Sequence, residues 1–69
     1  MTLNSATLRT VQGLLLHARE YLADARDLCV TNSETAIASR YLDLMHRIED
    51  ERRDVDRMLA AAEKAERRP

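Results

Sequence analysis

Residues 8–29 read LRTVQGLLLHAREYLADARDLC. Within them Leu8, Val11, Leu15, Ala18, Leu22, Ala25 and Cys29 follow one another at alternating spacings of three and four residues. This is a heptad seam, the repeat of one face of an α-helix, where a strand would alternate every second residue. Leu14, Tyr21 and Leu28 recur seven apart beside it. The apolar stripe is therefore wide and suits a bundle helix better than a bare two-stranded coil. Small side chains at Ala18 and Ala25 let a neighbouring helix approach closely. Gly13 falls opposite the seam, where it weakens the helix by up to about 1 kcal/mol relative to Ala. Asn4 is placed to cap the N-terminus, with Leu3 and Leu8 spaced for a hydrophobic staple over it.

Downstream, Val30-Thr31-Asn32-Ser33-Glu34-Thr35 interrupts the pattern. Thr31 and Glu34 have the spacing of a capping box, and Ser33 is the competing N-cap. A second stripe runs through Ile37, Tyr41, Leu44, Ile48, Val55, Met58, Ala62 and Ala65, with Glu51 where its missing member belongs. Nine of the eleven residues from Arg47 to Arg57 are charged, with mixed signs. That predicts a solvated face laced by Glu49–Arg53 and Asp54–Arg57 pairs. A sharper alternative makes Glu51 a buried polar residue that sets register or partner choice. From Glu63 onward the large apolar residues stop, and the chain is expected to fray.

The expected fold is thus all-α: a two-helix antiparallel hairpin forming one domain over residues 1–69, with helix 1 at about 4–30, a turn at 31–33 and helix 2 at about 34–66. Composition agrees. One Gly and one Pro among 69 residues leave too few turn formers for an all-β or α/β chain. Aromatics are limited to two Tyr, and ordering the chain costs roughly 1.5 kcal/mol per residue. A core built only of aliphatic side chains in 7.9 kDa gains most by doubling. A homodimer forming a four-helix bundle is expected, with Leu8, Val11, Leu15, Leu22, Leu44, Ile48, Val55 and Met58 as its dimer or core residues.

The chemical signals are sparse. His17 precedes Glu20 by three residues and His46 precedes Glu49 by three, but both histidines fall off the stripe and read as surface residues. The lone Cys29 sits in the seam and reads as a packed thiol in a reducing compartment. No Gly-rich phosphate loop or nucleophile-base arrangement occurs, so neither catalysis nor a cofactor or metal is expected. Ten of the eleven basic residues are Arg. Interleaved acids, a net charge of -1 and scarce aromatics argue against nucleic acid as the partner. No segment is apolar enough to span a membrane, and no basic, apolar leader opens the sequence, so a cytoplasmic location is expected.

What remains is protein binding. Tyr41, Leu42 and Met45, bordered by Arg40 and Arg47, are read as an apolar centre with a cationic rim, the make-up that interface hot spots favour. Leu16 and Arg19 on helix 1 form the alternative face.

In length, in Arg/Leu/Ala-rich composition and in a heptad hairpin reaching from Leu3 to Arg68, the chain resembles the small phage-encoded anti-quorum-sensing proteins of Pseudomonas phages. That resemblance implies a helical inhibitor of a bacterial host protein, either a quorum-sensing transcription regulator or the ATPase of type IV pilus assembly. It transfers no individual functional residue. The chain also looks like the two-helix co-chaperones of type III secretion needle subunits, with Tyr41 to Leu59 as the second helix. It is similar in design to the plasmid copy-control RNA-binding hairpin dimer, whose RNA-reading face has no clear counterpart here.

Overall fold

The computed structural model describes residues 4–67. Helix α1 spans Ser5–Thr31 and α2 spans Thr35–Glu66. They pack side by side as an antiparallel hairpin, a rod of 57 × 16 × 14 Å. Its radius of gyration is 16.0 Å, where a compact domain of this length has about 11 Å. The expected all-α hairpin is the observed one.

Local chemistry explains the helix ends. Asn4 is the N-cap of α1: its backbone is extended, and its side-chain oxygen accepts from the Thr7 N–H at 2.8 Å. Leu3, the other half of the expected staple, lies outside the described residues. The turn is closed differently from the expected capping box. Thr31 still belongs to α1, and its hydroxyl donates to the Asp27 carbonyl at 2.9 Å. Glu34 is the N-cap of α2 and makes no side-chain cap bond. Ser33 is not a cap but takes the left-handed conformation, φ 61°. The Glu34 N–H then reaches back to the Cys29 carbonyl at 2.7 Å and the Ser33 N–H to that of Val30 at 3.1 Å. These two bonds form a Schellman motif, built here on Ser instead of Gly. Asn32 adds a side-chain bond to the Leu28 carbonyl at 2.8 Å.

The seam of α1 is the expected one. Leu8 is buried, and Val11, Leu15, Ala18, Leu22, Ala25 and Cys29 are half-buried. On α2 the inward line is Ala38, Tyr41, Met45, Ile48, Arg52, Val55, Leu59 and Ala62, all buried or half-buried. Half of the expected stripe is therefore corrected by one residue. Tyr41, Ile48, Val55 and Ala62 face inward as expected. Ile37, Leu44, Met58 and Ala65 do not, and Ala38, Met45 and Leu59 lie in their place. Leu44 and Met58, expected as dimer or core residues, remain 39% and 43% exposed and lie outside the hairpin's own core. Adjacent residues point about 100° apart on a helix, so only one of each neighbouring pair can meet α1. Glu51 is exposed, which excludes its burial within the hairpin, and Arg52 occupies the inward line. The tightest packing is at the open end, where Leu8, Val55 and Leu59 are buried together against Val11, Leu15 and Ala62. Each fully buried aliphatic side chain contributes about 1.5–3 kcal/mol.

Polar contacts fix the register. Gln12 donates to Asp56, and Arg19 meets Glu49 at 2.5 Å. The two pairs differ by seven residues forward on α1 and seven backward on α2, as an antiparallel heptad ladder requires. At the open end Arg9 pairs with Glu63 at 2.7 Å, and Ser5 binds Glu66. The end of α2, Glu63 to Glu66, is thus tied to the start of α1, and positions 68–69 of the segment expected to fray lie outside the described residues.

Candidate protein-binding surfaces

The register divides the hairpin into two long flanks. On each helix, the residue four after a seam position lies on one side and the residue just before it on the other. Gln12 and Arg19 follow Leu8 and Leu15 by four; Glu49 and Asp56 follow Met45 and Arg52 by four. Their mutual contacts show that these positions share one flank, which is polar. Leu14, Tyr21 and Leu28 precede Leu15, Leu22 and Cys29; Ile37, Leu44 and Met58 precede Ala38, Met45 and Leu59. These six share the opposite flank, and they are between 39% and 74% exposed. One long side of the rod is therefore an uncovered apolar strip, interrupted on α2 by the exposed Glu51.

Charged residues border that strip. Arg40, Asp43, Leu44 and Arg47 line a shallow depression of about 200 Å³ on α2, and Ile37, Arg40, Tyr41 and Leu44 line its neighbour. The patch expected from the sequence is split by this geometry. Arg40, Tyr41 and Arg47 belong to the apolar flank. Leu42 lies on the polar flank, in a hollow with Arg26, Val30, Thr35, Ala38 and Ser39. Met45 is 6% exposed and belongs to the core, so it is removed from the binding patch. The helical angle between positions 40 and 42 is about 200°, which is why an Arg40 rim cannot border a Leu42 centre.

The alternative face also sits on the polar flank. Leu16 is exposed beside a groove of about 390 Å³ lined with Arg9, Gln12, Gly13, Arg52 and Asp56. Arg19 does not project freely, because it is held by Glu49, which also accepts from Arg52 at 3.1 Å. The buried Arg19 Nε lies against the Glu49 carboxylate without the alignment of a hydrogen bond. Two guanidiniums thus share one carboxylate midway along the rod. The ladder on the α2 surface is partly as expected: Asp54 pairs with Arg57 at 2.5 Å, whereas Arg53 takes Asp50 and not Glu49.

Titratable chemistry concentrates at the open end. The Glu66 carboxyl is held below its ordinary range, first by the Ser5 hydroxyl, then by the Ser5 N–H, with the Arg9 charge adding to both. His17 lies 3.5 Å from Glu20 on the surface, His46 is exposed, and Cys29 is a half-buried free thiol. Among the described residues, no three His, Cys, Asp or Glu side chains gather as a metal cage, and no helix is long and apolar enough to cross a membrane.

What the sequence analysis missed is the apolar strip as a surface. Leu14, Tyr21 and Leu28 were legible as a seven-residue repeat but were assigned to the width of the core. The signal was the doubled repeat on α2, where Ile37-Ala38, Leu44-Met45 and Met58-Leu59 each offer two apolar neighbours for one inward place. Comparisons of the chain with protein-family models, with curated proteins and with solved structures give no match.

Proposed function

We propose that this chain is a small non-enzymatic inhibitor that works as a homodimer in the cytoplasm of a bacterial cell. It binds and blocks a host protein of the kind that the resemblance to phage anti-quorum-sensing proteins implies: a quorum-sensing transcription regulator or the type IV pilus assembly ATPase. The observation that supports the homodimer is the uncovered strip of Leu14, Tyr21, Leu28, Ile37, Leu44 and Met58 on a rod only two helices thick. Such a contiguous apolar strip marks a protein interaction surface. The action is stoichiometric: covering a functional surface of the target is enough, and no reacting group is needed.

The host protein is assigned to the polar flank, where Leu16 and Leu42 stand out of the charged ladder beside Arg19 and Arg26. Co-purification tests the reading. Tagged protein passed through a bacterial lysate is expected to retain one regulator or pilus ATPase in fixed stoichiometry. The paired change Leu16→Asp and Leu42→Asp is expected to lose it with helix content unchanged by circular dichroism. Retention of a secretion needle subunit, or RNA binding that collapses with added salt, overturns the inhibitor reading in favour of a co-chaperone or an RNA-binding hairpin.

A further inference from the structure

We infer that the apolar strip is covered by the same strip of a second copy, around a two-fold axis parallel to the helices. Each α1 then lies on the α2 of the other copy, and Asp24 of one copy pairs with Arg47 of the other. This rests on the homodimer in the proposed function and specifies its face and symmetry.

Three observations select a second copy as the occupant. The first is size. A stable interface takes about 800 Å² from each partner, roughly one seventh of the hairpin's 5492 Å², and one long side of the rod supplies that. The second is shape: the strip runs along both helices from Leu14 to Leu28 and from Ile37 to Met58, so the strip of a second copy matches it in length. The third is charge. Positions 17, 24, 40, 47 and 54 form the outer edges of the strip, and they are not alike. Asp24 on the α1 edge, and Arg40 and Arg47 on the α2 edge, have no ion-pair partner among the described residues. Opposite unpaired charges on the two edges suit a partner whose edges are exchanged, and a parallel two-fold axis exchanges them.

The register makes the pairing specific. A rotation about an axis parallel to the helices keeps every residue at its own height along the rod. The antiparallel ladder of Gln12–Asp56 and Arg19–Glu49 puts residue 24 of α1 level with residue 44 of α2, between Arg40 and Arg47, and residue 21 level with residue 47. Each α1 edge therefore meets the other copy's α2 edge with Asp24 between Arg40 and Arg47, three residues or about 4.5 Å along the helix from the level of Arg47, a span its long side chain covers, and symmetry makes the contact twice. The competing arrangement, with the axis perpendicular to the helices, lays α2 on α2 and sets the edge carrying Arg40 and Arg47 along the same edge of the second copy. Like charges there carry a desolvation and repulsion cost, and the parallel axis is selected.

Sedimentation equilibrium over a range of concentrations tests this, with circular dichroism as the fold check. The wild-type chain is expected to be a dimer of twice 7.9 kDa. Leu28→Glu, on the strip but outside the hairpin core, is expected to give a folded monomer. Asp24→Arg and Arg47→Asp alone are each expected to raise the dimer dissociation constant by about tenfold, since an exposed attraction becomes a repulsion at two places. The double variant Asp24→Arg with Arg47→Asp is expected to recover wild-type affinity. A dimer unaffected by Leu28→Glu overturns the face while leaving the homodimer standing. A Leu28-dependent dimer that the double variant fails to restore overturns the parallel axis. A wild-type monomer at all concentrations overturns both this inference and the homodimer beneath it.

Discussion

Glu66, at the last position of α2, holds Ser5, the first residue of α1: its Oε1 accepts from the Ser5 N–H at 3.1 Å and its Oε2 from the Ser5 hydroxyl at 2.7 Å. The first turn of α1 carries no acidic residue of its own. A helix N-terminus has unsatisfied N–H groups and a partial positive charge. Glu66 supplies from the other helix the acceptor and the negative charge that this terminus lacks, and in doing so it closes the open end of the hairpin. The two residues are 61 positions apart, so the clasp forms only when the hairpin is already in register.

The clasp predicts a pH dependence. The Glu66 carboxyl is held below its ordinary value by Ser5. A carboxylate with a depressed folded pKa contributes stability above its unfolded pKa and loses it as pH falls through the folded one. Thermal unfolding of the wild-type chain is expected to weaken from about pH 5 downward. The Glu66→Gln variant is expected to be less stable at neutral pH and to converge with wild type in acid. Parallel curves for the two proteins from neutral to acid pH would remove the clasp from the stability of the hairpin.

Gly13 predicts a gain. It lies in the exposed part of α1, and an added Cβ meets nothing within 4 Å. Glycine inside a helix costs about 0.5–1 kcal/mol relative to alanine through backbone entropy. Gly13→Ala is expected to raise unfolding stability by that amount in urea titration, with an unchanged denaturant slope. A loss of stability would overturn the placement of Gly13 in open space on α1.

The turn predicts two substitutions of opposite sign. Ser33 has φ 61°, a conformation that costs an L-residue about 1–2 kcal/mol. Ser33→Gly relieves that strain at some cost in unfolded-state entropy, and a net gain of roughly 0.5 kcal/mol is expected. Ser33→Val is expected to destabilise, because a β-branched side chain tolerates this region worst. Differential scanning calorimetry of the three proteins should place them in the order Gly, Ser, Val.

How far the sequence revealed this structure differs between the two helices. On α1 only one phase of the repeat contains all of Leu8, Val11, Leu15, Ala18, Leu22, Ala25 and Cys29, so its inner face was legible. On α2 two phases compete, because Leu44 and Met45, or Met58 and Leu59, serve the seam equally well by hydropathy. The choice between them is made by the cross-helix ladder of Gln12–Asp56 and Arg19–Glu49, a long-range relation that one helix's own pattern does not contain. The same holds for the surface: Arg40 and Leu42 are only two residues apart in sequence yet face opposite flanks once the phase is fixed. Ser33 escaped for a local reason, since its left-handed place is usually taken by Gly.

The phase of α2 supplies the final prediction, because Met58 and Leu59 are adjacent, similar in size and placed on different surfaces. Leu59 is buried with Leu8 and Val55, so Leu59→Ala leaves a cavity and is expected to cost about 2–5 kcal/mol. The loss should appear at every protein concentration. Met58 is 43% exposed on the apolar strip, so Met58→Ala removes little from the hairpin itself. Its effect is expected to lie within about 0.5 kcal/mol in dilute protein, where surface substitutions fall. At high concentration the same variant is expected to lose stability relative to wild type, because association stabilises the folded chain by mass action and the strip is the surface that associates. Urea midpoints at two concentrations a hundredfold apart separate the two roles. Equal and concentration-independent losses for both variants would show that α2 presents Met58 and Leu59 together to α1, and the register drawn from the Gln12–Asp56 and Arg19–Glu49 pairs would then have to shift.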